Sequence, residues 1–328
     1  MSASAGIHQI ETPRLSSPRR IVTTMPSATE IVSLLGLEQN LVGITHECDY
    51  PPSVRQKPVV MRSVFDSGKM TSKEIDESVI TQVTAGRSIY QIDEDLLRSL
   101  KPELIITQEL CEVCATPHRE VSKVISNLKP KPNVLSLSPH NLEEVLDDII
   151  RVGEVAGRLS LAKKLASDFQ KRINYVKEKC VTVQHRPSVF CLEWMDPIYC
   201  SGHWMPELVS YVGGNEVLGK YGEPSTAVQW EQVLDKDPEV IFVTVCGYDV
   251  QRTLMEISTL SDRQKWNELR AVRSGSVYVL DAPSYYSRSG PRLVDGLEII
   301  AYLLHPELFP EYKLPKDSAY SLYHGKIV

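Results

Sequence analysis

Apolar positions come in two registers along the chain. Short unbroken runs alternate with segments whose apolar residues recur every three or four positions, the signature of buried strands alternating with amphipathic helices. Strands are expected at Arg20–Thr24, Leu41–Thr45, Leu104–Thr107 and Asn133–Leu137. In the second half they are expected at Ser188–Leu192, Val240–Val245 and Ser276–Leu280. Ser27-Ala28-Thr29-Glu30 has capping-box spacing ahead of Ile31, Leu34 and Leu35, and Gly36 supplies a stop. Thr71 and Glu74 repeat that spacing inside a polar insertion, 63–92, and predict a helix to Thr84. The insertion reads either as a lid or as surface decoration. Shorter helices are expected at Glu94–Leu100, Pro206–Val212 and Trp230–Leu234. Pro291 opens a helix carrying Leu293, Leu297, Ile300, Ala301 and Leu304. From Asn141 to about Val181 the pattern is helical almost without interruption, with Gly153 and Gly157 the weak points. That predicts a stiff connector between two α/β halves.

The halves echo one another. Asp95 to Ile105 and Glu231 to Ile241 each carry an acid, then proline and glutamate at offsets seven and eight, then an apolar run. The expected organisation is an N-terminal arm over 1–19 without fixed structure, one lobe over 20–140, a bridging helix over 141–185, a second lobe over 186–310 and a tail over 311–328.

Length and composition limit the alternatives. A chain of 328 residues with 42% hydrophobic and 24% charged residues builds a large core. A net charge of −6 argues against a nucleic-acid partner, and no apolar stretch is long enough to span a bilayer. Met1–Arg19 lacks the apolar centre of a secretory signal, so a cytoplasmic location is expected. Its arginines and serines also fit an organellar transit peptide. Seven scattered cysteines suit a reducing compartment better than a disulfide framework.

Candidate chemistry gathers at strand ends, where open α/β sheets bind ligands. Glu109, Cys111 and Cys114 follow one strand, His46-Glu47-Cys48 another, and Glu193-Trp194 a third. His203 and Trp204 stand before a helix start, and Tyr285, Tyr286 and Arg288 before the last helix. Thiolate and imidazole suit zinc, iron, copper or cobalt, so Cys111, Cys114, His46 and Cys48 form a candidate metal set. Cys111-x-x-Cys114 is half a zinc site by spacing; a redox pair or buried cysteines fit it as well. Arg288, and Arg62 behind it, can neutralise an anionic ligand group. Cysteines 180, 191, 200 and 246 read as structural. No GxSxG, P-loop, GxGxxG or HExxH is present, and a reactive cysteine in the cleft is the remaining enzymatic reading.

Six segments, Arg20–Gly36, Leu41–Pro52, Leu96–Gln108, Ser201–Gly219, Gln229–Val243 and Ser287–Leu304, resemble the helical-backbone substrate-binding proteins of ABC importers, and among them the cobalamin-binding group. The resemblance implies two Rossmann-like lobes bridged by one rigid helix, with the ligand between them. It implies a corrinoid ligand gripped by aromatics, of which Trp194 and Tyr285 match, with Tyr286 adjacent, while Glu47 and Ser63 stand where aromatics are expected. It places permease-docking acids on Asp95 and Glu231, a contact not expected of a chain without an export signal. The reading is therefore a non-catalytic binding protein for a metal-bearing small molecule, a corrinoid first. Direct zinc, iron or cobalt binding through cysteine and histidine, and an enzyme reusing the cleft, are the alternatives.

Overall fold

The computed structural model describes residues 17–108, 124–323 and 326–327. The first lobe is a six-stranded sheet: β1 (Ile21–Thr23), β2 (Leu41–Thr45), β3 (Val59–Ser63), β4 (Tyr90–Ile92), β5 (Leu104–Gln108) and β6 (Asn133–Leu137). Its order is β4-β3-β2-β1-β5-β6, parallel throughout except for β4. Chain order reverses at β1, so the crevice outside the carboxyl ends of β1 and β5 is a topological switch point.

The second lobe has β7 (Ser188–Met195), β8 (Ile198–Cys200), β9 (Asn215–Glu216), β10 (Thr226–Ala227), β11 (Val240–Val243), β12 (Val277–Leu280), β13 (Ala319–Ser321) and β14 (Lys326–Ile327). Its centre, β7-β11-β12, is parallel. The central strands β1 and β11 are buried along their whole length, as unbroken apolar runs covered on both faces require. Residues 311–328 were expected to be a tail; instead β13 pairs antiparallel with β12 and extends the sheet. The arm also ends earlier than expected. Ser17 Oγ donates to Ala156 O at 3.0 Å, and Arg19 N donates to Glu103 Oε2 at 2.8 Å, so 17–19 are already packed.

The connector is not one helix. Leu142–Val155 and Leu159–Cys180 are separate helices packed on each other. Gly157, at φ +70°, makes the left-handed stop that ends the first. Gly153 lets the two approach, since a Cβ there would lie 2.2 Å from that of Ala162. The 22-residue second helix, about 33 Å long, is the rod that carries the second lobe. Arg172 fastens it to the last helix, Leu293–Leu304, through Glu298 (2.8 Å twice) and Asp295 (2.5 Å). The largest buried cluster includes Ile21 and Ile106 of the first lobe with Val189, Leu208 and Ile300 of the second, so the lobes share a core behind the cleft.

The internal echo is structural. The helices Glu94–Leu100 and Trp230–Lys236 each end on a left-handed residue, Lys101 (φ 44°) and Asp237 (φ 40°). Each is followed by Pro-Glu and a strand paired parallel to the first strand of its lobe. In both copies the glutamate turns back to an N–H at the start of that lobe. Glu103 takes the one on Arg19, and Glu239 the one on Ser188, each at 2.8 Å.

Candidate functional site

The lobes face each other across the carboxyl ends of their parallel strands. Two sets of contacts close the space between those ends. On one side is an ion-pair quartet. Arg292, at the start of the last helix, donates to Glu30 through Nε (2.9 Å) and Nη2 (2.7 Å). Arg288 donates to Asp49 at 2.5 and 3.2 Å and to the Glu47 carbonyl at 2.8 Å. Tyr50 lays its ring 4.3 Å from the Arg292 guanidinium. Burial raises the Glu30 carboxyl above its ordinary value, against the pull of Arg292 and Arg288. Ser27, expected to cap its helix, makes no cap bond; it lies 3.5 Å from Ser289 of the other lobe. Pro26 opens that helix instead, which leaves Glu30 free to face the arginines.

On the other side the insertion crosses between lobes. Its helix, Ser72–Thr84, has the expected capping box at Thr71 and Glu74. Ile75 is buried in the second lobe's core, with Phe65, Met70 and Val79 packed against the same cluster. Ser72 N donates to Glu256 Oε2 (2.8 Å), Trp194 Nε1 donates to Ser72 O (3.1 Å), and Arg252 donates to Met70 O. The segment spans the two lobes and does not merely decorate a surface.

Between these closures lie the groups that can meet a ligand. His46 and Glu47 are exposed just after β2. His46 is held by the Thr45 hydroxyl (3.2 Å) and the Ser63 N–H (3.4 Å). Cys246, read from sequence as structural, is reachable by solvent just after β11, yet it is ringed by protein as a thiol on a cleft wall is. Burial pushes it up to about 12; the Glu193 charge adds to this, Glu47 of the opposite lobe adds a little, and a Ser287 hydrogen bond opposes it. Glu193 is pushed up to about 7 by burial, against hydrogen bonds from Ser225 (Oγ donating at 2.7 Å) and Ser201. His203 adopts a left-handed φ of 51°, and its backbone is pinned by Glu223 O and Gly222 N. Burial, then nearby His140, lowers its pKa. Trp194 is half-buried against Tyr248, ring centroids 5.5 Å apart, and Tyr285 is half-buried near Arg292. Arg62 is exposed on β3, opposite Gln91.

Several expected site residues are elsewhere. Cys48 is 4% exposed and bonded to Thr29 Oγ1 (3.0 Å), and burial raises its thiol to about 11; it is a core residue, not a metal ligand. Trp204 and Tyr286 are buried, the indole donating to Tyr286 O (2.8 Å) and the phenol to Gly296 O (3.1 Å), so neither presents a face to a ligand. Arg288 is consumed by Asp49 and is not free to neutralise a ligand anion. Glu109, Cys111 and Cys114 lie outside the described residues. Among the described residues no cluster of three histidine, cysteine or acidic side chains is placed to hold a metal. Asp95 and Glu231 occupy the same second position of the two echoed helices, and both are exposed. The expectations did not include Glu30, Asp49, Tyr50, Arg252 or Glu256, whose roles depend on the opposite lobe.

A sequence profile of periplasmic binding proteins matches residues 21–284. An uncharacterized ABC transporter substrate-binding lipoprotein of Bacillus subtilis is 27% identical over 306 residues, 90% of this chain and 82% of its own. The vitamin B12-binding protein of Vibrio cholerae is 25% identical over 290 residues, 87% of this chain and 88% of its own. The crystal structure of the periplasmic B12-binding protein of that organism superimposes with a TM-score of 0.65 at 24% identity, covering 90% of this chain and 99% of its own. A periplasmic heme-binding protein of Pseudomonas aeruginosa superimposes with 0.66 at 20% identity, covering 91% and 95%. These relatives, a lipoprotein of an ABC transporter and a periplasmic protein, contradict the expected cytoplasmic location and run against the doubt about a permease contact. No helix among the described residues is long and apolar enough to cross a membrane. With two α/β lobes, a shared core and a profile match over most of its length, the chain belongs to the periplasmic binding protein family.

Proposed function

We propose that this protein binds a corrinoid between its lobes, outside the cytoplasm, and presents it to an ABC permease. One observation carries the ligand class: similarity to vitamin B12-binding proteins runs through both lobes, so it includes the strand ends of each. The cleft chemistry is compatible. Trp194 offers an apolar face, and His46, Glu47, Glu193 and His203 offer donors and acceptors for an amide-fringed macrocycle rim. Because Arg288 is already paired, recognition rests on hydrogen bonds and stacking rather than on that guanidinium. Asp95 and Glu231 are the proposed permease contacts, presented alike by the repeated helix–Pro-Glu–strand unit.

Calorimetric titration with cyanocobalamin, and separately with hemin, tests the reading. One cobalamin per chain with a rise in melting temperature is expected. Saturable hemin binding without cobalamin binding would replace the corrinoid with another macrocycle, and binding of neither would remove macrocycles altogether. Asp95→Arg and Glu231→Arg are expected to leave cobalamin affinity unchanged while lowering stimulation of the permease ATPase.

A further inference from the structure

The two closures differ in kind. The quartet side buries Glu30, only 5% exposed, largely covers Arg288 and Arg292, leaves Asp49 half-buried, and backs onto the shared core. Separating the lobes there would break the paired hydrogen bonds of Arg292 on Glu30 and of Arg288 on Asp49 and would expose the apolar core behind them. The Trp194 side is lighter. Its three hydrogen bonds from the second lobe all fall on strap backbone, at Met70 and Ser72. Of the thirteen residues in Ser72–Thr84, only Ser72 and Ile75 are buried. The strap leaves the first lobe at the end of β3 and returns at β4. Just before that return, Gly86 sits at φ +66° with open space where a side chain would stand. Regions with few buried contacts open first.

The second lobe's side of this closure is already assembled. Arg252 and Glu256 pair at 2.6 Å, Arg252 lies 4.7 Å from the Tyr248 ring, and the Tyr248 hydroxyl donates to Glu256 at 3.3 Å. None of these three contacts involves a strap residue. Lifting the strap frees the Ser72 N–H, Met70 O and Trp194 indole N–H, which water can satisfy, withdraws Ile75, Phe65, Met70 and Val79 from the second lobe's cluster, and uncovers the Trp194 edge beside Glu193.

We infer that residues 64–84 form the gate of the cleft, with Arg252 and Glu256 as its catch and Trp194 shared between gate and ligand. Ligand enters on this side while the Glu30–Arg292 side stays shut. The use of Trp194 by a ligand rests on the corrinoid reading; the opening itself does not.

Hydrogen exchange of the whole protein, read by mass spectrometry, tests the opening. Stopped-flow mixing with cyanocobalamin tests its consequence. Amides of 65–84 are expected to exchange about tenfold or more faster than those of the Leu293–Leu304 helix. Glu256→Gln, which removes the charge holding Ser72 N–H, is expected to speed strap exchange and cobalamin association by about tenfold each. Trp194→Phe deletes the indole donor while keeping an aromatic ring, and strap exchange is expected to rise with it by less than with Glu256→Gln. In both variants exchange in Pro26–Leu34 should not change. Strap amides as slow as the last helix, and unmoved by either variant, would overturn the gate even if cobalamin binds. Faster strap exchange in a protein that binds no cobalamin would support the gate and count against the corrinoid.

Discussion

Replacing Glu30 by glutamine isolates the lock between the lobes. The side chain is 5% exposed, takes two hydrogen bonds from Arg292, and has Arg288 Nη1 3.5 Å away. With Asp49 the group is neutral: two carboxylates and two guanidiniums. Glu30→Gln keeps the shape and removes one negative charge, leaving Arg292 with only Asp49, at 3.9 Å. Breaking a buried pair from one side costs about 3–5 kcal/mol, and the remaining Asp49 puts this case near 3. For 328 residues the unfolding entropy is roughly 0.7 kcal/mol/K, so the melting temperature should fall by about 4 °C. Calorimetric melting at pH 7 measures it. The drop should persist at high salt, because a buried pair is screened little. The double variant Glu30→Met/Arg292→Met removes both charges and should cost less than the two single changes summed. A drop below about 1 °C for Glu30→Gln, or strict additivity in the double variant, would refute a coupled lock.

Three further outcomes follow from particular groups. Glu193, raised from an ordinary 4.5 to about 7 by burial, binds a proton more readily folded than unfolded, so its stabilisation is complete below about pH 4.5 and is lost as pH rises through 7. Denaturant melts between pH 5 and 8 should show a decline of up to about 3 kcal/mol that Glu193→Gln flattens; an unchanged slope counts against it. In a Cys111→Ser/Cys114→Ser background, maleimide should label Cys246 alone among the described cysteines. Labelling should be slow at pH 7, because a thiol near 12 is almost wholly protonated, and cobalamin should block it. Label on Cys48, Cys180, Cys191 or Cys200 with Cys246 silent would contradict the cleft assignment. Cys48→Ala should lower stability by about 1–2 kcal/mol, as loss of a small buried side chain does, and leave ligand affinity unchanged; weakened ligand binding with normal stability would return Cys48 to the site.

The elements were legible where the chain reports on itself. Apolar runs marked β1, β2, β5 and β11 because those strands are covered on both faces. What depends on a distant partner was not legible. Thr71 to Glu74 and Ser27 to Glu30 share one spacing. The first forms a capping box on an exposed strap. The second is turned into the lobe interface, where two arginines some 260 positions away compete for the carboxylate. Cys48 and Cys246 show the same limit. Both follow a strand end, and only the opposite wall decides that one faces Thr29 in the core and the other faces Glu193 and Glu47. The helical pattern over 141–181 marked Gly153 and Gly157 as weak points but not as a break, because a glycine costs about 1 kcal/mol in a helix without ending it, and the close approach of Gly153 to Ala162 is a tertiary fact.

The repeat explains why the site is asymmetric. Each half supplies the same frame: a short helix, a left-handed stop, Pro-Glu, and a strand beside the first strand of its lobe. A frame used twice presents Asp95 and Glu231 alike on the outside, which suits a single partner gripping both lobes. Inside the cleft, two identical walls would offer a ligand nothing to distinguish its two faces. The departures from the repeat supply that difference. The first lobe inserts the strap between β3 and β4, and the second inserts the Ser287–Arg292 turn ahead of its last helix. The strap carries backbone groups and a few apolar side chains, while the turn carries two arginines. The charged contact, backed by the shared core, is costlier to open than the strap, so the same divergence that made the cleft two-faced also decided which edge of it opens first.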